Sequence, residues 1–235
     1  MFGATDSARR KKVMSKARIR AFDWDKDIKE AIRIIYDVWF FDIENPLVGH
    51  MCSNYFLMHY LRQSTFLMAA VDDNDKLIGF LGLTDKCSKR EFAKCKWLDF
   101  KAAVFEKISL VGMYVLPGSK TPRLFDGLFF SNYDKLRKMV PNKDAPEFLV
   151  LIADPNARGM GVGKTLMIEG EQYLKQAGFK SYYLITDSSC DYGFYDKFGM
   201  DRVVDVSMSF NINHVEDYDH YLNCFLRGMV YVKGL

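Results

Sequence analysis

Apolar residues fall in short blocks separated by turn residues, and each block reads as a strand or as one face of a helix. The clearest runs over residues 147–178. EFLVLIA is apolar at every position after its glutamate, as expected of a strand covered on both faces. A DPNA turn and a glycine-rich bend, RGMGVG, follow. A helix then puts Val162, Leu166, Gly170, Tyr173 and Ala177 on its inner side, and Gly178 stops it. Upstream, residues 17–23 read as a strand. Asp25 or Asp27 can cap the next helix, with Ile28, Ile32, Ile35 and Trp39 on one face. A second helix is expected over residues 50–62. Residues 65–71 and 77–83 form a hairpin around the polar turn 72–75. Downstream come a strand over 180–186, a short helix over 190–198, a strand over 202–210 and a last strand within 218–227. The order β-α-α-β-β, insertion, β-α-β-α-β-β makes a mixed α/β (α+β) sheet protein.

Residues 85–146 break the rhythm. They hold a basic helical pattern (86–105), a Pro/Gly segment (116–122) and a second helical pattern (124–139). This stretch carries 13 Lys/Arg against 7 Asp/Glu and reads as a helical insertion or lid within a single domain over 17–235. Residues 1–16 read as a disordered basic leader. Its charge accounts for the net charge of +3, so nucleic-acid binding by the globular body is not expected. No run approaches the length of a membrane span. Five cysteines without CxxC spacing and four histidines without HExxH spacing point to a reducing, cytoplasmic setting and to no metal site.

The bend after the 147–153 strand is the candidate site. Glycines at 159, 161 and 163 let the backbone curl and approach a ligand. The free amides and positive dipole end of the next helix point into the bend, and Arg158 and Lys164 add charge. A strand feeding such a helix start makes a socket for phosphate. Pro155 cannot donate a ladder hydrogen bond, so pairing is expected to end or splay there. A nucleoside-triphosphate loop is the first rival: Gly163-Lys164-Thr165 copies the tail of its motif, but Arg158 stands where that motif needs glycine. The dinucleotide fingerprint fails at Lys164 in the same way.

Arg158-x-x-Gly161-x-Gly163 after an apolar strand and Pro155 resembles the pyrophosphate motif of the GNAT superfamily of acyl-CoA-dependent N-acetyltransferases. Phe194-Tyr195-Asp196-Lys197-Phe198-Gly199-Met200 resembles that family's FYxKxGF segment. The resemblance implies a mostly antiparallel sheet splayed at its central strand and flanked by helices. It implies acetyl-CoA as acyl donor, with its pantetheine arm along the backbone of Leu151, Ile152 and Ala153. The diphosphate would rest on the amides of Arg158, Gly159, Met160, Gly161, Val162, Gly163 and Lys164. Tyr195 matches the family's acid for the leaving thiolate, and Glu147 opens the strand where some relatives place a catalytic glutamate. Asp154 and Asp187 are alternative bases, and Cys190 raises an acyl-cysteine relay, although direct attack is the commoner route. Ser188 stands where many relatives have asparagine, which puts one coenzyme contact in doubt, and Met200 replaces an aromatic. The acceptor would enter beside the first two helices, near Trp39, Phe40, Phe41, Asp42, Glu44, Tyr55 and Tyr60. Trp97, Tyr114, Phe129 and Phe130 of the insertion would roof it. The expected activity is acetylation of a small-molecule amine; a non-catalytic acyl-CoA-binding module is the alternative, and a homodimer through the last strands stays open.

Overall fold

The computed structural model describes residues 17–91, 94–208 and 226–235; the leader read over 1–16 lies outside them. Strand β1 (Arg18–Ala21) leads into α1 (Trp24–Ile35). Asp23, not Asp25 or Asp27, caps α1: its carboxylate accepts from the amides of Asp25 at 2.9 Å and Lys26 at 3.3 Å. Asp27 is claimed by Arg20 of β1, at 2.7 and 2.8 Å. A neighbouring strand thus decides which of three closely spaced aspartates is free to cap. α1 runs on into a π-helical turn (Tyr36–Phe40), a widened turn that often marks functional sites. α2 (Pro46–Gln63) begins earlier than expected, capped by Asn45 with Pro46 in its first turn.

The expected hairpin is β2 (Phe66–Val71) and β3 (Leu77–Thr84), with the Asp72 carboxylate accepting from the amides of Asn74 and Lys76 in the turn. The insertion contains α3 (Lys96–Val115) and α4 (Lys120–Lys138). Its first helix lies later than the 86–105 pattern suggests. Buried Asp85 accepts from the amides of Cys87 and Ser88, at 3.0 and 2.7 Å, and folds the start of that stretch into a loop. α3 packs on α2, with Arg62 paired to Glu106 and Asn54 donating to Ser109.

β4 (Glu147–Ala153), a single 3-10 turn (Pro155–Ala157), α5 (Val162–Gln176), β5 (Ser181–Asp187), α6 (Gly193–Lys197), β6 (Asp201–Ser207) and β7 (Arg227–Gly234) complete the described chain. The last strand therefore begins where the expected one ends. Residues 218–225 of that expectation lie outside the described residues, as do 209 and 210 of the strand before it. Sheet order is β1-β2-β3-β4-β5-β7-β6, antiparallel at every pairing except β4–β5. This is the mixed, mostly antiparallel open sheet flanked by helices that the sequence implies.

α1 and α2 cover one face, over Leu67, Phe80, Val150 and Ile152. α5 covers the other, over Leu81, Phe148, Tyr182 and Leu184. α5 lies close because Gly79 and Gly170 leave room for it. A Cβ on Gly170 would stand 2.7 Å from the Phe148 ring, and one on Gly79 2.7 Å from Val162. The end of α4 packs Leu136 against Tyr183 and Val230. Among the described residues no helix is long and apolar enough to cross a membrane, and no cluster of His, Cys, Asp and Glu could hold a metal ion.

Candidate active site

The sheet opens between β4 and β5. These strands pair only at Glu147↔Tyr183 and Phe148↔Leu184. On the other edge of β4, Leu83 faces Phe148 and Gly82 faces Val150, which leaves Leu149 as a bulge. A bulge bends its strand and increases the local twist. β4 therefore parts from β5 at Leu149, well ahead of Pro155, where proline chemistry alone had suggested the break. A cavity of about 370 Å³ fills the opening. Phe148 to Leu151 form one wall, Leu184 to Asp187 the other, and Tyr195 borders it.

β4 ends at the glycine-rich bend. Gly159 and Gly161 adopt φ of 84° and 70°, a left-handed geometry that costs other residues roughly 1–2 kcal/mol. The amide of Arg158 donates to Pro155 O and that of Met160 to Ala157 O, so these two of the seven expected amides are already engaged. Those of Gly159, Gly161, Val162, Gly163 and Lys164 donate to no protein acceptor among the described residues. They surround the positive end of α5, with the Arg158 and Lys164 side chains exposed beside them. Such a cradle suits a diphosphate. Leu151 lines the cavity, whereas Ile152 is buried toward α1 and Ala153 is half-buried. Ser188 is turned to β7, where its Oγ accepts from the Arg227 amide at 3.0 Å, and it does not line the cavity.

Tyr195 sits on α6 with its ring against Phe194 and Tyr231. Its hydroxyl has no hydrogen-bond partner among the described residues. Burial, with Cys190 and Asp191 adding to it, pushes the phenol well above its ordinary value, so it is protonated at neutral pH and able to donate. Cys190 also lines the cavity. Burial and then Asp187 push its thiol up to about 11.

The expected bases are all occupied. Glu147 is buried, accepts from Arg137 Nε at 3.0 and 3.1 Å and from the Tyr183 hydroxyl at 2.9 Å, and does not line the cavity. Asp154 accepts from the Asn156 amide at 2.8 Å and pairs with Arg33. Burial opposes its ionisation, but these partners outweigh burial and hold it below the ordinary carboxylate value. Asp187 reaches the cavity but accepts from the Tyr133 hydroxyl at 2.8 Å and the Ser189 amide at 2.8 Å.

The far end of the cavity is aromatic. The π-helical turn contributes Val38, Trp39 and Phe40, followed by Phe41 and Asp42; α2 adds Phe56 and Tyr60; α4 adds Phe129 and Tyr133. Four aromatic residues expected at the acceptor side do not line it. Of these, Tyr55 and Phe130 pack edge to face behind it, while Trp97 and Tyr114 are exposed on α3. Asp126 of α4, also in the wall, was absent from the sequence-based candidates. The signal was a lone acid within the apolar run Leu124 to Phe130. Burial alone raises its carboxyl to about 7.

Residues 131–200 match the model of the acetyltransferase (GNAT) family, from mid-α4 through the glycine-rich bend to the end of the α6 segment. No curated protein matches the chain. Among solved structures, a histone acetyltransferase HPA2 and related acetyltransferase from Corynebacterium glutamicum aligns with a TM-score of 0.51 at 13% identity, over 93% of this chain and 96% of that one. A protein assigned as a phosphinothricin N-acetyltransferase aligns with a TM-score of 0.50 at 11% identity, over 94% of this chain and 99% of that one. At such identities the likeness establishes the fold, and the acceptors in those names are theirs.

Proposed function

Starting from a chain that carries a GNAT acetyltransferase domain and is therefore an acyl-transfer enzyme, we propose that it moves an acetyl group from acetyl-CoA to the primary amine of a small molecule by direct attack, in the cytoplasm. The observation that carries this reading is the parting of β4 from β5 at Leu149, with the amide cradle at one end of β4 and Tyr195 on the border of the opening. The pantetheine arm would take the place of the missing strand along Leu151, Ile152 and Ala153. The diphosphate would rest on the amides of Gly159 and Gly161 to Lys164. A neutral amine attacks the thioester carbon, the C–S bond breaks, and Tyr195 gives its proton to the thiolate. The unbridged state of the four described cysteines fits a reducing compartment.

Thermal denaturation with acetyl-CoA and, separately, with ATP–Mg²⁺ tests the coenzyme. At a hundredfold excess over Kd a ligand adds about 2.7 kcal/mol, a rise of roughly 5–10 °C for a domain of this size. The rise is expected with acetyl-CoA; one with ATP–Mg²⁺ alone overturns the reading in favour of a nucleotide-binding loop.

Direct attack also predicts the behaviour of Cys190. With the thiol near 11, only about one molecule in 10⁴ carries a thiolate at pH 7, too few for an acyl-cysteine relay. Cys190→Ala is expected to keep kcat within about threefold and to show no loss of a covalent acetyl-enzyme by mass spectrometry. An acetylated Cys190 trapped in the native protein would establish the relay instead.

A further inference from the structure

α4 comes from the insertion, yet it closes the acceptor end of the cavity with Pro122, Asp126, Phe129 and Tyr133. Among the described residues no Lys, Arg or His lines this cavity, and the acids that do are Asp42, Asp126 and Asp187. Asp187 is occupied by Tyr133 and Ser189, and Asp42 lies at the exposed rim. Asp126 differs from both. It lies within the wall, and its carboxylate has no hydrogen-bond or ion-pair partner among the described residues. The titratable groups facing it are the Cys52, Tyr55 and Tyr60 side chains of α2, each of which feels its charge. Tyr133 of α4, Asp187 of β5, Cys190 after it, Tyr195 of α6 and Asp42 at the rim are the other described titratable groups of the wall. None is a cation at neutral pH, so no described group in the wall compensates a negative charge on this half-buried carboxylate. A cationic ligand would, and the rings of Trp39, Phe40, Phe56 and Phe129 would cover its hydrocarbon body.

We infer that Asp126 receives the acceptor's ammonium and takes one of its protons, and that the acceptor is a small primary amine on an aromatic or otherwise apolar body. The inference rests on the acetyl-transfer reading above and deepens it. The step balances as follows. The Asp126 carboxylate accepts one proton from the ammonium, freeing the nitrogen lone pair. The nitrogen forms a bond to the thioester carbon, the C–S bond breaks, and its electron pair leaves on sulfur. Tyr195 protonates the sulfur, and the second proton lost by the nitrogen restores the phenol. Asp126 then releases its proton to water, so one proton appears for each amide formed. With a carboxyl near 7, Asp126 is half-ionised at neutral pH, where a general base works best.

Thiol release from acetyl-CoA, measured with the full chain across pH 5.5–9, tests both parts. The acceptors are 2-phenylethylamine, tryptamine, putrescine and a lysine-containing peptide. The two arylalkylamines are expected to exceed putrescine and the peptide by roughly tenfold or more in kcat/KM. Asp126→Asn is expected to lower kcat/KM by about 100-fold and to abolish the ionisation near pH 7, while the thermal shift with acetyl-CoA is kept. A second readout needs no turnover. A carboxyl raised in the folded state stabilises the fold below its unfolded value, and that contribution is lost as pH rises through the folded value. Between pH 4 and 8 the native Tm should therefore fall more than that of Asp126→Asn, which should be the more stable at pH 8. A variant with native kcat/KM and an unchanged Tm profile overturns the role of Asp126. Preference for putrescine or the peptide, or no turnover of either arylalkylamine, overturns the acceptor class. Loss of both acetyl-CoA binding and thiol release with every amine would sink the acetyl-transfer reading itself.

Discussion

Tyr195→Phe is expected to lower kcat by about 10²–10³-fold while leaving the affinity for acetyl-CoA within about twofold. The change removes one oxygen. The ring keeps its contacts with Phe194 and Tyr231, so the walls of the opening stay in place. No protein group depends on the hydroxyl for a hydrogen bond among the described residues, so its loss leaves no buried group unpaired. In the proposed mechanism the donor for the departing sulfur disappears, and a thiolate must then leave unprotonated or take a proton from water. Because burial raises the phenol further, native activity should show no limb from its ionisation below about pH 10. Thiol release at saturating amine and titration of the free enzyme with acetyl-CoA separate the two effects. A native rate in the variant would remove Tyr195 from the chemistry. An equal loss of rate and coenzyme affinity would show a packing role. A native protein that binds acetyl-CoA but acetylates no amine would instead support a non-catalytic acyl-CoA-binding module.

Glu147→Gln is expected to destabilise the fold by about 3 kcal/mol, the low end of the cost of taking one partner from a buried ion pair, and to lower Tm by roughly 6–12 °C. Glu147 shows only 5% of its side chain to solvent and takes both bonds from the Arg137 Nε. Without its charge, Arg137 retains Asp134 at 3.0 Å, an exposed partner, and Tyr183 loses its carboxylate acceptor. The low end applies because a quarter of the Arg137 side chain reaches solvent. Rate per folded molecule should stay within about threefold, since Glu147 does not line the cavity. Arg137→Leu with Glu147→Leu should cost less than either single change, because buried ion pairs are often replaceable by apolar pairs. Chemical denaturation and turnover on the same samples decide the point. Full stability with lost turnover would restore Glu147 as the catalytic base.

These two residues mark where sequence reasoning reached and where it stopped. Tyr195 is recognisable from its own neighbours, Phe194 to Met200, and the cradle from glycines within a few positions of one another. The hairpin, the α5 stop at Gly178 and the strand over 181–187 are equally local. Gly178 takes φ of 86°, as a helix-terminating glycine should. Glu147 was visible as a carboxylate at the start of the right strand, but its partners come from α4 and β5. β7 was misplaced because it inserts between β5 and β6, a pairing that no neighbouring residue announces. Asp126 belongs to no local motif; it is marked only by the cavity wall that α4 shares with α2 and the π-helical turn.

The amino-acid sequence by itself determined the element order, the glycine-rich bend, the family resemblance and the candidacy of Tyr195. Each depends on backbone preferences and spacings that act within about one turn or one strand of chain. The tertiary structure alone decided where the sheet parts, which aspartate caps α1, and which carboxylates are spent on ion pairs. Register across strands sets the bulge at Leu149, and desolvation and pairing set the state of each acid. Both are properties of residues far apart in the chain, brought into contact only when the sheet and its helices pack.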